Sequence, residues 1–282
     1  MPDFNYEILN GKDIHEVIKI ADDLSKKDIE GKLIAHEIYS SLLEVDQIPN
    51  IYDHPYANVR GSLRQKIFQI EKNFKWNIFY LSKAGQDKFI HNKFFKNKKD
   101  GFFIEIGAYD GTSGSNCFFF EKYLGWNGIA IEPSPNQFEI LKKNRNCTCL
   151  NNAISNKNKK IEFVNVIEGY TEMSGINNKG YQRNLEILEN HHLSKIEKIN
   201  INCITFPEAI NENTIIDYLS IDVEGGEYDI LESIDFEKYN IKIISIENNE
   251  PDKINFLNFL KEKNYDYIDN FGSDEIYAKR DF

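Results

Sequence analysis

Two acids stand where their neighbours decide their chemistry. In GFFIEIGAYDGTSGSN (101–116) an apolar run carries Glu105 and then breaks into Gly107, Ala108, Tyr109, Asp110 and Gly111. A glycine turn after a strand brings bare backbone to a ligand, and with G-x-G-x-x-G spacing it cradles a pyrophosphate at a helix N-terminus. Asp110 would push a negative charge toward any phosphate lying on that turn. A ligand with cationic groups and no phosphate fits better, and S-adenosylmethionine carries an ammonium, a sulfonium and a ribose diol. Glu132 closes the next apolar run, GIAIEP, about 20 residues on, where it can accept hydrogen bonds from such a diol. A structural turn with an incidental acid and a nicotinamide dehydrogenase are the competing readings, and Asp110 counts against the second.

A second acidic group, SIDVEGGE (220–227), follows another apolar run and places Asp222 and Glu224 at a strand end, where open α/β sheets bind ligands. An ionised acid there needs a partner. A carboxylate in such a crevice can serve as a general base or hold a metal. Asp222 and Glu224 are candidates for the base. His191 and His192 are a second source, because an imidazole titrates near working pH, with a solvated helical pair as the plain alternative. Glu227 reads as an acid favoured at a helix N-terminus.

The elements that must position these groups alternate. GFFIEIGA and GIAIEP read as strands, SNCFFFEKYLG as a helix stopped by Gly125, and SPNQFEILKKNR as a helix with Ser134 at its N-cap and Pro135 in its first turn. TCLNNAIS, KIEFVNVI, IIDYLSID and IKIISIE supply further strands, EYDILESIDFEKY and DKINFLNFLKEKN further helices, and YDYIDNFGSDEIYAKR a closing hairpin. Strands alternating with helices predict an α/β doubly wound sheet. Glu168 to Lys198 interrupts the pattern and reads as an inserted loop, either a lid or a disordered insert, in which Lys179 and Arg183 are the natural contacts for a phosphorylated acceptor. Residues 1–80 read as an accessory or dimer-forming helical segment, broken near QIPNIYDHPYANVRG, ahead of a catalytic domain at 81–282.

The chain has 282 residues, 41% of them hydrophobic, enough for a sizeable core in one or two domains. A net charge of −11 argues against a nucleic-acid or anionic-membrane surface. The start has no signal-like apolar stretch, and no run reaches the roughly 18 apolar residues of a membrane span. Cys117, Cys147, Cys149 and Cys203 match neither a zinc pattern nor a disulfide framework, which points to free thiols in the cytoplasm.

The set FFIEIGAYDGTSGSN, LGWNGIAIEPSPNQFEILKKNR, NNAIS, DYLSIDVEGGEYDIL and IISIENN resembles the successive motifs of FkbM-family methyltransferases, from about Leu81 to Lys279. The resemblance implies the class I methyltransferase (Rossmann-like) fold, S-adenosylmethionine as cofactor, and O-methylation of a small polar acceptor such as a sugar or nucleotide-linked sugar. It places Glu105, Gly107 and Asp110 at the methionine end, Glu132 at the ribose, and Ala153 and Ile154 beside the adenine, with Asn116, Pro133 and Asp222 also among the cofactor contacts. AGQDKFI is similar to the family's opening segment, which implies Gln86 near the cofactor. The chain is also similar to catechol-type O-methyltransferases in setting Asp222 after one strand and Glu247–Asn248 after the next, oxygen ligands that suit magnesium or manganese. The lysine base of that class has no counterpart, because Gly225 stands at its position.

Overall fold

A computed structural model describes every residue except 1–4, 45–47, 49, 51–53, 192–193 and 252–253. Three helices come first: α1 (Ile14–Ser25), α2 (Ile29–Leu42) and α3 (His54–Asn73). Asp13 starts α1 in a reciprocal cap with Glu16, and Asp28 caps α2 through the Gly31 N–H. The break ahead of α3 is shorter than the sequence suggests, because Pro55 sits in the first helical turn, where its missing N–H is no loss. The apolar faces close on one another through Ala21, Ile34, Ala35, Ile38, Leu63 and Ile70.

After them come α4 (Gln86–Phe94), β1 (Phe102–Ile106), α5 (Phe118–Leu124), β2 (Asn127–Ile131), α6 (Pro135–Asn144), β3 (Thr148–Leu150) and β4 (Ala153–Ile154). Next come β5 (Lys159–Glu168), β6 (Gly175–Ile176), α7 (Gln182–Asn190), β7 (Lys195–Ile204), α8 (Phe206–Ala209) and β8 (Ile215–Ile221). The chain ends with α9 (Glu227–Ser233), β9 (Asn240–Glu247), α10 (Phe256–Glu262), β10 (Tyr265–Phe271) and β11 (Asp274–Lys279). Seven strands form one sheet in the order β10-β11-β9-β8-β1-β2-β3, parallel except for β11 against β9 and the β10–β11 hairpin.

Successive strand residues face opposite sides, which makes two cores from one sheet. Ile104, Leu219 and Ile244 pack on one side with Ile230, Leu231 and Leu260, while Phe103, Tyr218 and Ile243 pack on the other with Phe95, Phe120 and Trp126. Full burial of each such side chain contributes roughly 1.5–3 kcal/mol. This is the doubly wound α/β architecture of class I methyltransferases, with its C-terminal hairpin and helical N-terminal segment. The helical segment also covers the sheet's open edge: Arg60 forks onto Asp269 of β10 at 3.1 and 3.2 Å, Arg64 joins it, and the Gly272 N–H donates to the Gly61 carbonyl at 2.9 Å.

The segment 168–198 is not an irregular loop. It holds β6, α7 and two single 3₁₀ turns and runs into β7, and its side chains Tyr181 and Leu188 are buried against Val164 and Val166. With β5 it builds a second sheet, β4-β7-β5-β6. TCLNNAIS correspondingly divides at Asn151–Asn152, β3 staying in the main sheet and β4 joining the second. Ser134 does occupy the N-cap of α6, but its hydroxyl bonds Asn165 at 2.7 Å instead of capping the helix.

Candidate functional site

The glycine turn is clamped between neighbouring strand ends. Gly107 and Ala108 both donate to the Ile131 carbonyl at 3.0 Å, and the Asp222 N–H donates to the Ile106 carbonyl at 3.0 Å. Gly107 has φ +85°, and a Cβ there would overlap the Asp222 carbonyl oxygen. Only glycine lets the β1 turn lie against the β8 end. Asp110, however, faces its own turn. Its Oδ1 accepts from the Thr112 and Ser113 N–H groups at 2.8 and 2.7 Å, and Oδ2 accepts from the Ser113 hydroxyl at 2.6 Å. Burial pushes its pKa up, but these bonds outweigh it and hold the carboxyl below its ordinary value. Asp110 stabilises the turn and does not line the cavity beneath it.

That cavity, about 310 Å³, opens at the carboxyl ends of β1, β2 and β8. Pro133, Ala153, Ile154, Phe163 and Ile176 form an apolar flank suited to a flat heterocycle. Glu132 lies beside them and accepts from the Tyr109 and Ser134 N–H groups at 2.9 and 2.7 Å. Burial raises its pKa to about 7 against those two donors. Each of its oxygens keeps a lone pair for a diol. Asn116 donates to the Ser220 hydroxyl at 3.0 Å, and its Oδ1 is buried without a partner, an acceptor suited to an ammonium. These features fit S-adenosylmethionine.

Of two further expected contacts, Glu105 lines the cavity and Gln86 does not. The Glu105 carboxylate takes Arg145 at 2.7 Å, the Ser115 hydroxyl at 2.8 Å and the Asn116 and Cys117 N–H groups at 2.9 and 3.2 Å. It ties α5 to β1 instead of reaching outward. Gln86 lies behind the wall, accepting from the Ala84 N–H at 3.0 Å and donating to Asp274 at 2.9 Å. The residue its segment delivers to the cavity is Lys83. Nothing in the sequence pattern marks Lys83 beyond its place just before AGQD. The Asp222 carboxylate, with Glu247, Glu224 and Asp274 beyond it, raises the Lys83 pKa despite partial burial.

The second acidic group gathers at the far end. Oxygens of Asp222, Glu224 and Glu247 lie within 4.8 Å of one another. Glu224, at φ +61°, accepts from the Asn184 amide at 2.7 Å; burial and then the Asp222 charge raise its pKa to about 7. Burial and the same charge push Glu247 well up, and its Oε2 is buried without a partner. Asn248 donates to Ile254 O at 3.0 Å and Glu275 at 2.8 Å, leaving its Oδ1 buried and unpaired. Glu227 is drawn into the loop, accepting from the Val223 and Gly225 N–H groups at 3.2 and 3.0 Å.

A small polar pocket of about 30 Å³ adjoins the cluster, lined by Glu224, Glu247, Asn248, Asn249, Arg183 and Asn184. Thr171, Glu172 and Ser174, from the segment read as a lid or a disordered insert, line the larger cavity from the second sheet's side. His191 lines neither space: its ring stacks on Tyr170 at 4.0 Å and its Nδ1 pairs with the Ser194 hydroxyl at 2.7 Å. It is therefore removed from the candidates for the base, and His192 lies outside the described residues. Lys179 is exposed and lines neither space.

The seven-stranded sheet, with Glu132 at the end of β2 and the Asp222 cluster at the ends of β8 and β9, has the class I methyltransferase architecture. Residues 105–267 match the Methyltransferase FkbM domain, more than half of the chain, and the protein belongs to the FkbM methyltransferase family. Among solved structures it is similar to the FkbM methyltransferase of Methylobacillus flagellatus KT, at 11% identity and TM-score 0.41, over 89% of this chain and 60% of that one. It is also similar to a TehB-like SAM-dependent methyltransferase of Corynebacterium glutamicum, at 11% identity and TM-score 0.34, over 77% and 98% of the two chains. The N-terminal domain of human METTL16 matches at 13% identity and TM-score 0.38, over 99% and 98%. No curated protein matches the chain. Among the described residues no helix is long and apolar enough to cross a membrane, and the four cysteines are free.

Proposed function

We propose that the protein is an O-methyltransferase acting on a hydroxyl of a sugar, either nucleotide-linked or part of surface-polysaccharide biosynthesis. The observation that supports this most is Glu224, which lines both the donor cavity and the small pocket of amides, carboxylates and a guanidinium. A polyhydroxylated group finds partners there, whereas a lipid or polyketide chain finds little apolar surface beyond Ile254. S-adenosylmethionine supplies a methyl group on a sulfonium. Asp222 and Glu224 hold the acceptor hydroxyl in line with it and take the proton as oxygen bonds to the methyl carbon, while sulfur keeps the electron pair of the broken bond.

In this reading residues 81–282 carry catalysis in the cytoplasm, and residues 1–80 support the sheet edge and supply contacts for a homodimer. A turnover screen with labelled donor against nucleotide-linked sugars tests it. Transfer to at least one sugar, cut by about 10²–10⁴-fold in Asp222→Asn, supports it. Methylation confined to lipid or polyketide hydroxyls overturns the sugar assignment, and donor binding without turnover on any acceptor marks a non-catalytic module.

A second reading is favoured by the unpaired oxygens of Glu247 and Asn248 beside Asp222 and Glu224. These hard oxygens suit magnesium or manganese, whose charge lowers the pKa of a bound hydroxyl and suits a vicinal diol. Exhaustive chelation separates the two. Lost turnover restored by either ion, with donor binding intact, supports the metal; full activity leaves the carboxylates to act alone.

A further inference from the structure

We infer that Lys83 binds the carboxylate of the donor's methionine end, an inference that rests on the S-adenosylmethionine reading above. Glu105, Glu132, Glu172, Asp222 and Glu224 line the cavity, and Lys83 is the basic residue among the described residues that joins them. Glu105 is already neutralised by Arg145. The donor presents an ammonium, a sulfonium and one carboxylate, and the acids welcome the first two and repel the third. A single cation therefore decides where the carboxylate lies.

The segment holding that cation is built to keep it in place. Asp87, wholly buried, accepts from the Leu81 and Ser82 N–H groups at 2.7 and 3.2 Å and from the Ser82 hydroxyl at 2.5 Å. Ser82 in turn pairs with Gly114 of the glycine turn through a β-bridge. The Lys83 carbonyl accepts from Gln69 at 3.0 Å, which joins α3 to the same segment. The Lys83 side chain lies along Gly114, close enough that a Cβ there would sit 3.2–3.8 Å from its Cγ, Cε and Cδ. Its ammonium feels the Asp222 charge but makes no hydrogen bond or close ion pair among the described residues, so its N–H groups are open to a ligand. Asn116, on the same turn, offers its unpaired Oδ1 to the neighbouring ammonium. Together the two side chains match both ends of an α-amino acid.

The test compares two ligands by calorimetry. S-adenosylhomocysteine carries the amino-acid end, and 5′-methylthioadenosine keeps the nucleoside and thioether without it. Lys83→Met should weaken S-adenosylhomocysteine about 10- to 100-fold, the range for losing a charged hydrogen bond, and leave methylthioadenosine unchanged. Lys83→Arg should restore most of the lost affinity. Equal weakening of both ligands, or of neither, overturns the inference. A wild-type chain that binds neither ligand overturns the donor site itself, a failure read in the wild-type arm before any variant is compared.

Discussion

Gly107 shows how much one missing methyl group controls. Because a Cβ would enter the Asp222 carbonyl and the backbone already sits at φ +85°, Gly107→Ala must push the β1 turn off the β8 end. We expect a destabilisation of more than about 2 kcal/mol in urea unfolding and loss of S-adenosylhomocysteine binding; a variant with the wild-type midpoint and affinity would contradict this. The glycine, Glu132, Ala153 and Ile154 were legible in the sequence because strand ends fix their place whatever the side-chain details. The orientation of Asp110 and the partner of Glu105 were not. A short acid in a turn bonds its own backbone as readily as a ligand, and Glu105 is engaged by Arg145, distant in sequence and without a periodic signal. Asp110 argued for the right cofactor, yet its carboxylate does not meet the cavity.

At the scale of elements, the strand–helix alternation and closing hairpin could be read from periodicity, and the second sheet only in part: KIEFVNVI marked β5 but not its partners. β6 is only two residues long, and β7 pairs with β5 and β4 far back in the chain, so no local window joins them into a sheet. The result is a folded cap where a loop was expected. Gly180 and Gly225 bring it onto the acid cluster: a Cβ at Gly225, where φ is +108°, would sit 2.7 Å from the Gly180 backbone, and Asn178 donates to the Gly225 carbonyl at 3.3 Å. Gly225→Ala should lift the cap, speed proteolysis inside 168–198 and lower acceptor turnover while donor binding holds. Unchanged cleavage would show that this contact does not hold the cap.

Across the whole molecule, buried acids make stability depend on pH. Burial raises Asp87 to about 6 and Glu132 and Asp274 to about 7. The fold favours their protonated forms, so their contribution is complete below the unfolded values near 4 and is lost as pH rises through 6–7. His91, lowered by burial, opposes this in the same window, and the net charge of −11 reinforces it. Acids held low by partners, such as Glu71 at about 2, act only below this window. The ligand-free chain should melt on the order of 5 °C higher at pH 5.5 than at pH 8, by calorimetric scanning; a higher melting temperature at pH 8 would contradict the burial of these groups. The account as a whole depends on what fills the cavity under the glycine turn. Titrating the intact chain with S-adenosylhomocysteine and with NAD reads this directly. We predict one S-adenosylhomocysteine per chain, weakened by about 1–3 kcal/mol in Glu132→Ala, and no comparable binding of NAD; equal affinity for NAD, or indifference to Glu132, would contradict it.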